Sequence, residues 1–174
     1  MEPALGGWDN FYVIVGSSSG ALIGLQFVVI TLLAETGAQR DHEAVSAFAT
    51  PTVVHFAGSL LISAIMSAPG WSGSALALIL AVCGLTGLAY GAAVAYRARH
   101  QSQYPPGWED WLWYVVLPCC VYLVLLIGAL TLRTSVPASA DMVALAALGL
   151  LFIGIHNAWD TVTYIVVSRP RDEE

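Results

Sequence analysis

Five long apolar runs constrain this chain more than any other feature of its sequence. They cover residues 11–34, 44–68, 74–96, 111–132 and 142–167. Each run can cross the hydrocarbon core of a bilayer, which needs about 20 helical residues. Lipid offers no water to backbone amides and carbonyls, so segments at this depth should be helices. The period-two alternation of membrane β-barrel strands is absent from the sequence. The predicted fold class is therefore all-α, an integral membrane bundle of five transmembrane helices.

Composition agrees with a membrane protein and excludes several partners. Hydrophobic residues make up 57% of the chain, charged residues only 10%, and mean hydropathy is +0.73. Soluble domains carry about 25% charged residues. The net charge of −6 argues against nucleic acid, whose phosphates need a basic surface. We expect one transmembrane domain spanning residues 1–174, with the lipid bilayer as its main partner.

Two prolines make the second and fourth helices harder to predict. Thr50-Pro51 has the residue types of a helix start, so the second helix either begins at Pro51 or is a longer helix kinked there. Pro118 lies inside the fourth run and is predicted to kink it, because proline lacks a backbone donor and crowds the preceding turn.

The arginines predict how the bundle is oriented. With five spans, five arginines fall on one side of the membrane and Arg133 alone on the other. Cytoplasmic loops carry an excess of basic residues, so we expect the N-terminus outside and the C-terminus in the cytoplasm. The five arginines of the predicted cytoplasmic side are Arg40, Arg97, Arg99, Arg169 and Arg171.

Small residues recur at four-residue spacing on two of the predicted helices. The first carries Gly16, Gly20 and Gly24, and the third carries Gly87 and Gly91. Helices associate in lipid by close packing across such residues. The glycines are predicted to pack helices together, either within one protomer or between subunits. The chain is predicted to form a homo-oligomer.

Polar side chains inside the last span form the first half of a candidate site. His156, Asp160 and Tyr164 recur every four residues and share one helix face, with Asn157 beside them. Ionisable groups within a span are costly and usually face the bundle interior or a water-filled cavity. We therefore expect this face to point inward.

The second half of the candidate site lies on the first two helices. On helix two, four polar residues follow one another at three- and four-residue steps, and on helix one Gln26 shares a face with Ser19. The simplest arrangement points Gln26, His55, His156 and Asp160 toward one another, with a histidine donating to Asp160. The four polar residues of helix two are Thr52, His55, Ser59 and Ser63.

Several functions fit such a site. It could be a hydrogen-bonded core that fixes helix register, or a permeation or proton-transfer path. It could hold a metal through His55, His156 and Asp160, or a haem through the two histidines. The sequence contains no HExxH motif, no nucleophile elbow and no paired catalytic acids, so an enzyme is not predicted. We also predict no resident metal or cofactor.

The leading hypothesis is a small oligomeric channel, transporter or ligand-responsive membrane protein that handles a small ion or ligand. A non-catalytic membrane subunit or scaffold is the alternative. A metal- or haem-binding membrane protein is the third.

Two stretches resemble a known group of proteins. The opening WDNFYVIVG, from Trp8 to Gly16, and the last-helix stretch FIGIHNAWDT, from Phe152 to Thr161, resemble an uncharacterised family of small multi-pass bacterial membrane proteins. The resemblance covers the first and last spans best. It implies a multi-pass protein of the bacterial inner membrane and implies no activity.

Overall fold

The computed structural model describes the backbone of residues 7–35, 42–100 and 107–167, and the side chains of 7–31, 50–100 and 107–163. Within these ranges the chain is helical and contains no strand. Five of its helices are long and apolar enough to cross a membrane, as the sequence predicts. They are α1 (Asp9–Glu35), α2 (His42–Ser67), α3 (Gly73–His100), α4 (Trp108–Thr131) and α5 (Val136–Val167).

The helices pack in an order that differs from their order in the chain. The largest contacts join α1 to α2, α2 to α5, α5 to α4, and α4 to α3. The last helix therefore lies in the middle of the bundle, and α2 and α5 are its most buried members. At one end, which we call the arginine end, α3 finishes with Arg97 and Arg99 and α4 begins. The Arg99 guanidinium lies 5.6 Å from the centre of the Trp111 ring, a cation–π distance that ties the two helices together there.

The structure decides between the two predictions for the second helix. α2 begins at His42 and contains Pro51, so the longer helix is correct and a start at Pro51 is wrong.

Immediately before Pro118, where the sequence predicts a kink, α4 contains a π-helical turn. α4 is α-helical over Trp108–Trp111, π-helical over Leu112–Val116 and α-helical again over Leu117–Thr131. Leu117 donates its backbone N–H to the carbonyl of Leu112, five residues earlier. Pro118 follows immediately and cannot donate to the carbonyl four residues before it. The wider turn changes the backbone spacing just where the proline would disrupt a regular α-helix.

The glycines of α3 are packing positions within one protomer. A Cβ atom on Gly87 would collide with the ring of Tyr122 on α4, and one on Gly91 would lie 2.5 Å from the Cys119 sulfur. Close approach of α3 to α4 therefore requires glycine at both positions.

The glycines of α1 do not act as one ridge. A Cβ on Gly16 would lie 3.0 Å from the Ser63 Cβ of α2. Around Gly20 and Gly24, by contrast, the described residues leave open space. Only Gly16 therefore packs inside the protomer, and a subunit interface at Gly20 and Gly24 stays a prediction.

Leucine at Gly16 and at Gly24 should have opposite consequences for stability. Gly16→Leu should overpack the α1–α2 contact and lower the free energy of unfolding by about 1–3 kcal/mol. Gly24→Leu, the matched control on the same helix, meets open space within the protomer and should leave the unfolding of the protomer unchanged, while loss of a subunit contact there would appear as a smaller assembly. Thermal unfolding of the two variants in detergent measures the difference. Equal melting temperatures would contradict the packing described for Gly16.

Candidate functional site

The polar residues of α2 form a buried stripe in the bundle interior. Thr52, His55, Ser59 and Ser63 are each at most 1% exposed. Their three- and four-residue spacing places them on one face, and that face turns toward the neighbouring helices rather than outward. The sequence pattern identifies these four residues, and the structure shows that all of them are enclosed.

Ser59 joins three helices at the middle of this stripe. Its hydroxyl lies 3.0 Å from the Ser19 hydroxyl of α1, which donates to it. Ser59 in turn donates to the Ala147 carbonyl of α5 at 2.8 Å. A helical carbonyl that accepts a second hydrogen bond makes a fixed contact point, so Ser59 sets the register of α1 and α5 against α2.

The same register brings a second set of polar residues to one level. α1 and α2 are antiparallel. Seven residues forward from Ser19 on α1 and seven back from Ser59 on α2 therefore bring Gln26 level with Thr52. Phe56 of α2 packs against Gly154 of α5. One helical turn further along these two antiparallel helices, Thr52 lies within one residue of the level of Asn157. Gln26 is 6% exposed, and Thr52 and Asn157 are fully buried. Three helices thus contribute an amide or hydroxyl side chain at one depth.

We call this set of buried groups the polar seam. It consists of Thr52, His55, Ser59 and Ser63 of α2, Ser19 and Gln26 of α1, and Asn157 of α5.

Several polar atoms in and beside the seam have no hydrogen-bond partner among the described residues. They include both ring nitrogens of His55, both amide atoms of Asn157, the Ser63 hydroxyl and the Tyr12 hydroxyl. A buried polar group left without a partner costs about 1–3 kcal/mol. Six such atoms along one line of a small bundle are therefore expensive, and enclosed water molecules are the usual partners for groups of this kind.

A separate polar pocket lies at the arginine end of the bundle. It has a volume of about 80 Å³ and is formed by the start of α4 and the later part of α5. Its lining combines three carboxylates, two aromatic rings and one imidazole, so we call it the acidic pocket. The lining residues are Glu109, Asp110, Trp113, Tyr114, His156 and Asp160.

The α5 residues in this pocket pair with α4. The His156 ring stacks on Trp113, with centroids 3.5 Å apart and planes 7° from parallel. Asp160 is solvent-exposed and accepts a long hydrogen bond of 3.4 Å from the Tyr114 hydroxyl. The Tyr114 hydroxyl also lies next to the Thr161 hydroxyl, which donates to the Asn157 carbonyl. This chain of contacts connects the acidic pocket to the polar seam at Asn157.

The predicted convergence of Gln26, His55, His156 and Asp160 is wrong. His156 and Asp160 do share a pocket, but the hydroxyl that Asp160 meets belongs to Tyr114 and not to a histidine. His55 lies instead beside the rings of Tyr90 and Tyr122. The cause is the helix order, because α4 covers the His156 face of α5 while α2 covers the Asn157 face. The side chain of Tyr164 lies outside the described residues.

The positions of the histidine and acidic side chains do not support metal binding. No group of three or more histidine, cysteine or acidic side chains within the described ranges is arranged to hold a metal ion. The proposed ligand set of His55, His156 and Asp160 is therefore not assembled.

Four residues of the acidic pocket were missed by sequence reasoning: Glu109, Asp110, Trp113 and Tyr114. Trp113 and Tyr114 share one local cause. Both lie in the π-helical turn Leu112–Val116, and π turns of this kind often occur at functional sites. The wider turn changes the angle between successive side chains, so helical periodicity counted along α4 does not predict which residues face α5. Pro118 is the available signal, because a proline inside a span marks the place where regular spacing fails.

Comparison of the chain with protein-family models, with curated proteins and with solved structures finds no match. The function must therefore be argued from the polar seam and the acidic pocket themselves.

Proposed function

We propose that this protein is a small transporter or channel that conducts protons across a bacterial inner membrane, along the polar seam and through the acidic pocket. The observation that carries the proposal is the line of buried polar side chains along the seam, in which the His55 ring and the Asn157 amide have no hydrogen-bond partner among the described residues. Buried chains of acid, histidine and hydroxyl groups recur in membrane proton pathways.

The route begins in the acidic pocket. Asp160 takes up a proton there, since it is exposed and lies at the end of the α4–α5 contact. Tyr114 and Thr161 then link Asp160 to the level of Asn157 through hydroxyl groups, which both donate and accept hydrogen bonds. Water held by the unpaired amide of Asn157 carries the proton past this level.

Beyond Asn157 the route follows α2. Thr52 and Ser59 are seven residues apart, about 10 Å along the helix axis, and His55 lies between them. A neutral imidazole can accept a proton on one nitrogen and release one from the other, so it bridges the two levels. Ser59, Ser19 and Ser63 continue the line toward the Tyr12 hydroxyl at the other end of the bundle.

The dimensions and charge of the seam favour the proton over larger species. Its side chains are 0–6% exposed, so no wide aqueous lumen separates the helices. The seam has no carboxylate or guanidinium group to offset the charge of a dehydrated metal ion in a medium of low dielectric constant. A proton moves by exchange along hydrogen bonds, so it needs no wide pore, and the His55 imidazole can hold it in transit.

The proposal also includes the lipid surroundings of the bundle and its orientation in the membrane. Large apolar side chains such as Leu78, Leu130 and Phe152 are at least 60% exposed, which suits contact with lipid. With the arginine end in the cytoplasm, as the excess of arginine there favours, the acidic pocket faces the cytoplasm. A second copy of the chain against Gly20 and Gly24 of α1 would complete a homo-oligomer.

Proton flux into liposomes tests the proposal directly. Purified protein would be reconstituted into vesicles that contain a pH-sensitive dye, and a potassium gradient with valinomycin would impose a membrane potential. The dye should report acidification or alkalinisation at least several-fold faster than in protein-free vesicles. Asp160→Asn, which keeps shape and removes the charge at the entrance, should slow the flux. Equal rates with and without protein under potentials of either sign would exclude a proton path.

The alternative is a non-catalytic membrane subunit in which the seam only fixes helix register. The two hydrogen bonds of Ser59 favour it, because they join α1, α2 and α5 without requiring any transported species. On this alternative, seam substitutions change stability while the vesicles stay as tight to protons as protein-free ones.

A further inference from the structure

Tyr122 of α4 occupies a slot made by two glycines on two different helices. Its ring lies against Gly87 of α3, where any Cβ atom would collide with it. Its hydroxyl reaches α2, where a Cβ on Gly58 would lie 3.2 Å from that oxygen. Tyr122 is 5% exposed, so a phenol hydroxyl is brought into the interior at a place where both neighbouring helices leave room for it.

His55 lies beside this hydroxyl-bearing ring. It is three residues from Gly58 on the same helix, and its ring centre is 6.2 Å from that of Tyr122. The Tyr90 ring of α3 is 6.5 Å away and nearly perpendicular to it. The imidazole is 1% exposed, and neither of its nitrogens has a hydrogen-bond partner within the described part of the chain.

A neutral imidazole always carries one donor and one acceptor nitrogen, and here both are enclosed without a partner. The phenol of Tyr122 is close by, yet no direct hydrogen bond joins the two described side chains. A molecule between them must therefore both donate and accept, must be small, and must be neutral, because the surrounding rings supply no counter-charge.

We propose that His55 and Tyr122 bind a single buried water molecule, which bridges an imidazole nitrogen to the phenol hydroxyl. The glycines at positions 58 and 87 give the tyrosine its place and so define this site. The site follows from packing and hydrogen-bonding capacity alone, and it would exist whether or not protons cross the bundle. If protons do cross the bundle, the same water would exchange protons with His55 on the proposed route.

Solid-state NMR of the protein in lipid bilayers, with ¹⁵N-labelled histidine, tests this site without any flux assay. The chain has four histidines, so loss of one signal in His55→Gln identifies the ring resonances of His55. Magnetisation should pass from water protons to a ring nitrogen of His55, even though the side chain is buried. His100, which is exposed, is the internal reference for water contact.

Two tyrosine variants make the test specific. Tyr122→Phe keeps the ring against Gly87 and removes only the hydroxyl, so the water loses one partner and transfer to His55 should fall at least threefold. Tyr90→Phe, the matched control on the other neighbouring tyrosine, should leave it within a factor of about 1.5. Gly58→Leu gives a second test by filling the space beside the hydroxyl, and it should also reduce transfer.

Three results would overturn the proposal. The first is no water transfer at His55 while His100 shows it. The second is transfer that is unchanged in both Tyr122→Phe and Gly58→Leu. The third is a direct contact between the Tyr122 hydroxyl proton and a ring nitrogen of His55, because the two groups would then need no bridge.

Discussion

Valine at Gly87 should strongly destabilise the described bundle. The new Cβ and its two methyl groups would occupy the space of the Tyr122 ring. Overpacking a core normally costs about 1–3 kcal/mol, but that range assumes that a neighbour can move aside. Here the hydroxyl end of the ring points to Gly58 of α2, so a second helix lies behind the ring and limits how far it can move aside. We therefore expect a loss of more than about 3 kcal/mol, a large part of the total stability of a typical domain of about 5–15 kcal/mol.

Yield of monodisperse protein in mild detergent and its melting temperature measure this loss. Gly24→Val is the matched control for the melting temperature of the protomer, since the described residues of the protomer leave the space around Gly24 open. A second-site test uses the contact itself: Tyr122→Ala empties the space and should restore much of the stability of Gly87→Val, because the two positions share one interaction. A Gly87→Val protein with the melting temperature of the parent chain would show that α3 and α4 do not pack as described.

Leucine at Asn157 should abolish proton flux while leaving the protein at least as stable as before. Asn157 is fully buried, and both of its amide atoms lack partners within the described residues. An apolar side chain of similar size removes the unsatisfied atoms, and such replacements can be neutral or stabilising. It also removes the groups that would hold water between Thr161 and Thr52. We expect flux in vesicles to fall at least tenfold and the melting temperature to stay equal or rise.

In Asn157→Leu, proton flux should fall while the melting temperature stays equal or rises, so general unfolding cannot explain the lost flux. Thr163→Val, on the exposed face of the same helix, is the control and should change neither quantity. A structural role for Asn157 would give lower stability in Asn157→Leu. Normal flux in a stable Asn157→Leu protein would remove this residue from the proposed route.

Much of the architecture could be predicted because membrane helices are specified by local sequence. Each apolar run predicted one helix, since length and hydropathy decide whether a segment can cross lipid. The buried stripe of α2 was equally predictable. Polar side chains in a span avoid lipid, so Thr52, His55, Ser59 and Ser63 had to share one inward face.

What the sequence could not predict was which inward face meets which. Nothing in the runs themselves reveals that α5 lies between α2 and α4. The prediction therefore put Asp160 and His156 against His55, whereas the structure places them against Tyr114 and Trp113. The π-helical turn adds a second obstacle, because it changes the angular positions of those two aromatic residues on α4. Both failures concern contacts distant in sequence rather than the local preferences of any residue.

The central position of α5 has a consequence for how the protein is made. A ribosome delivers the chain from its N-terminus, so α1 to α4 leave the translocation machinery before α5, the partner of α2 and α4, exists. Until α5 arrives, Ser59 has no Ala147 carbonyl to bind, and the polar face of α2 has no cover from that side. The nascent protein must therefore hold an unfinished, partly polar surface in the lipid or against an insertion factor. Closure of the bundle therefore waits for α5, and a chain that stops after α4 should be a substrate for membrane proteases rather than a smaller working protein.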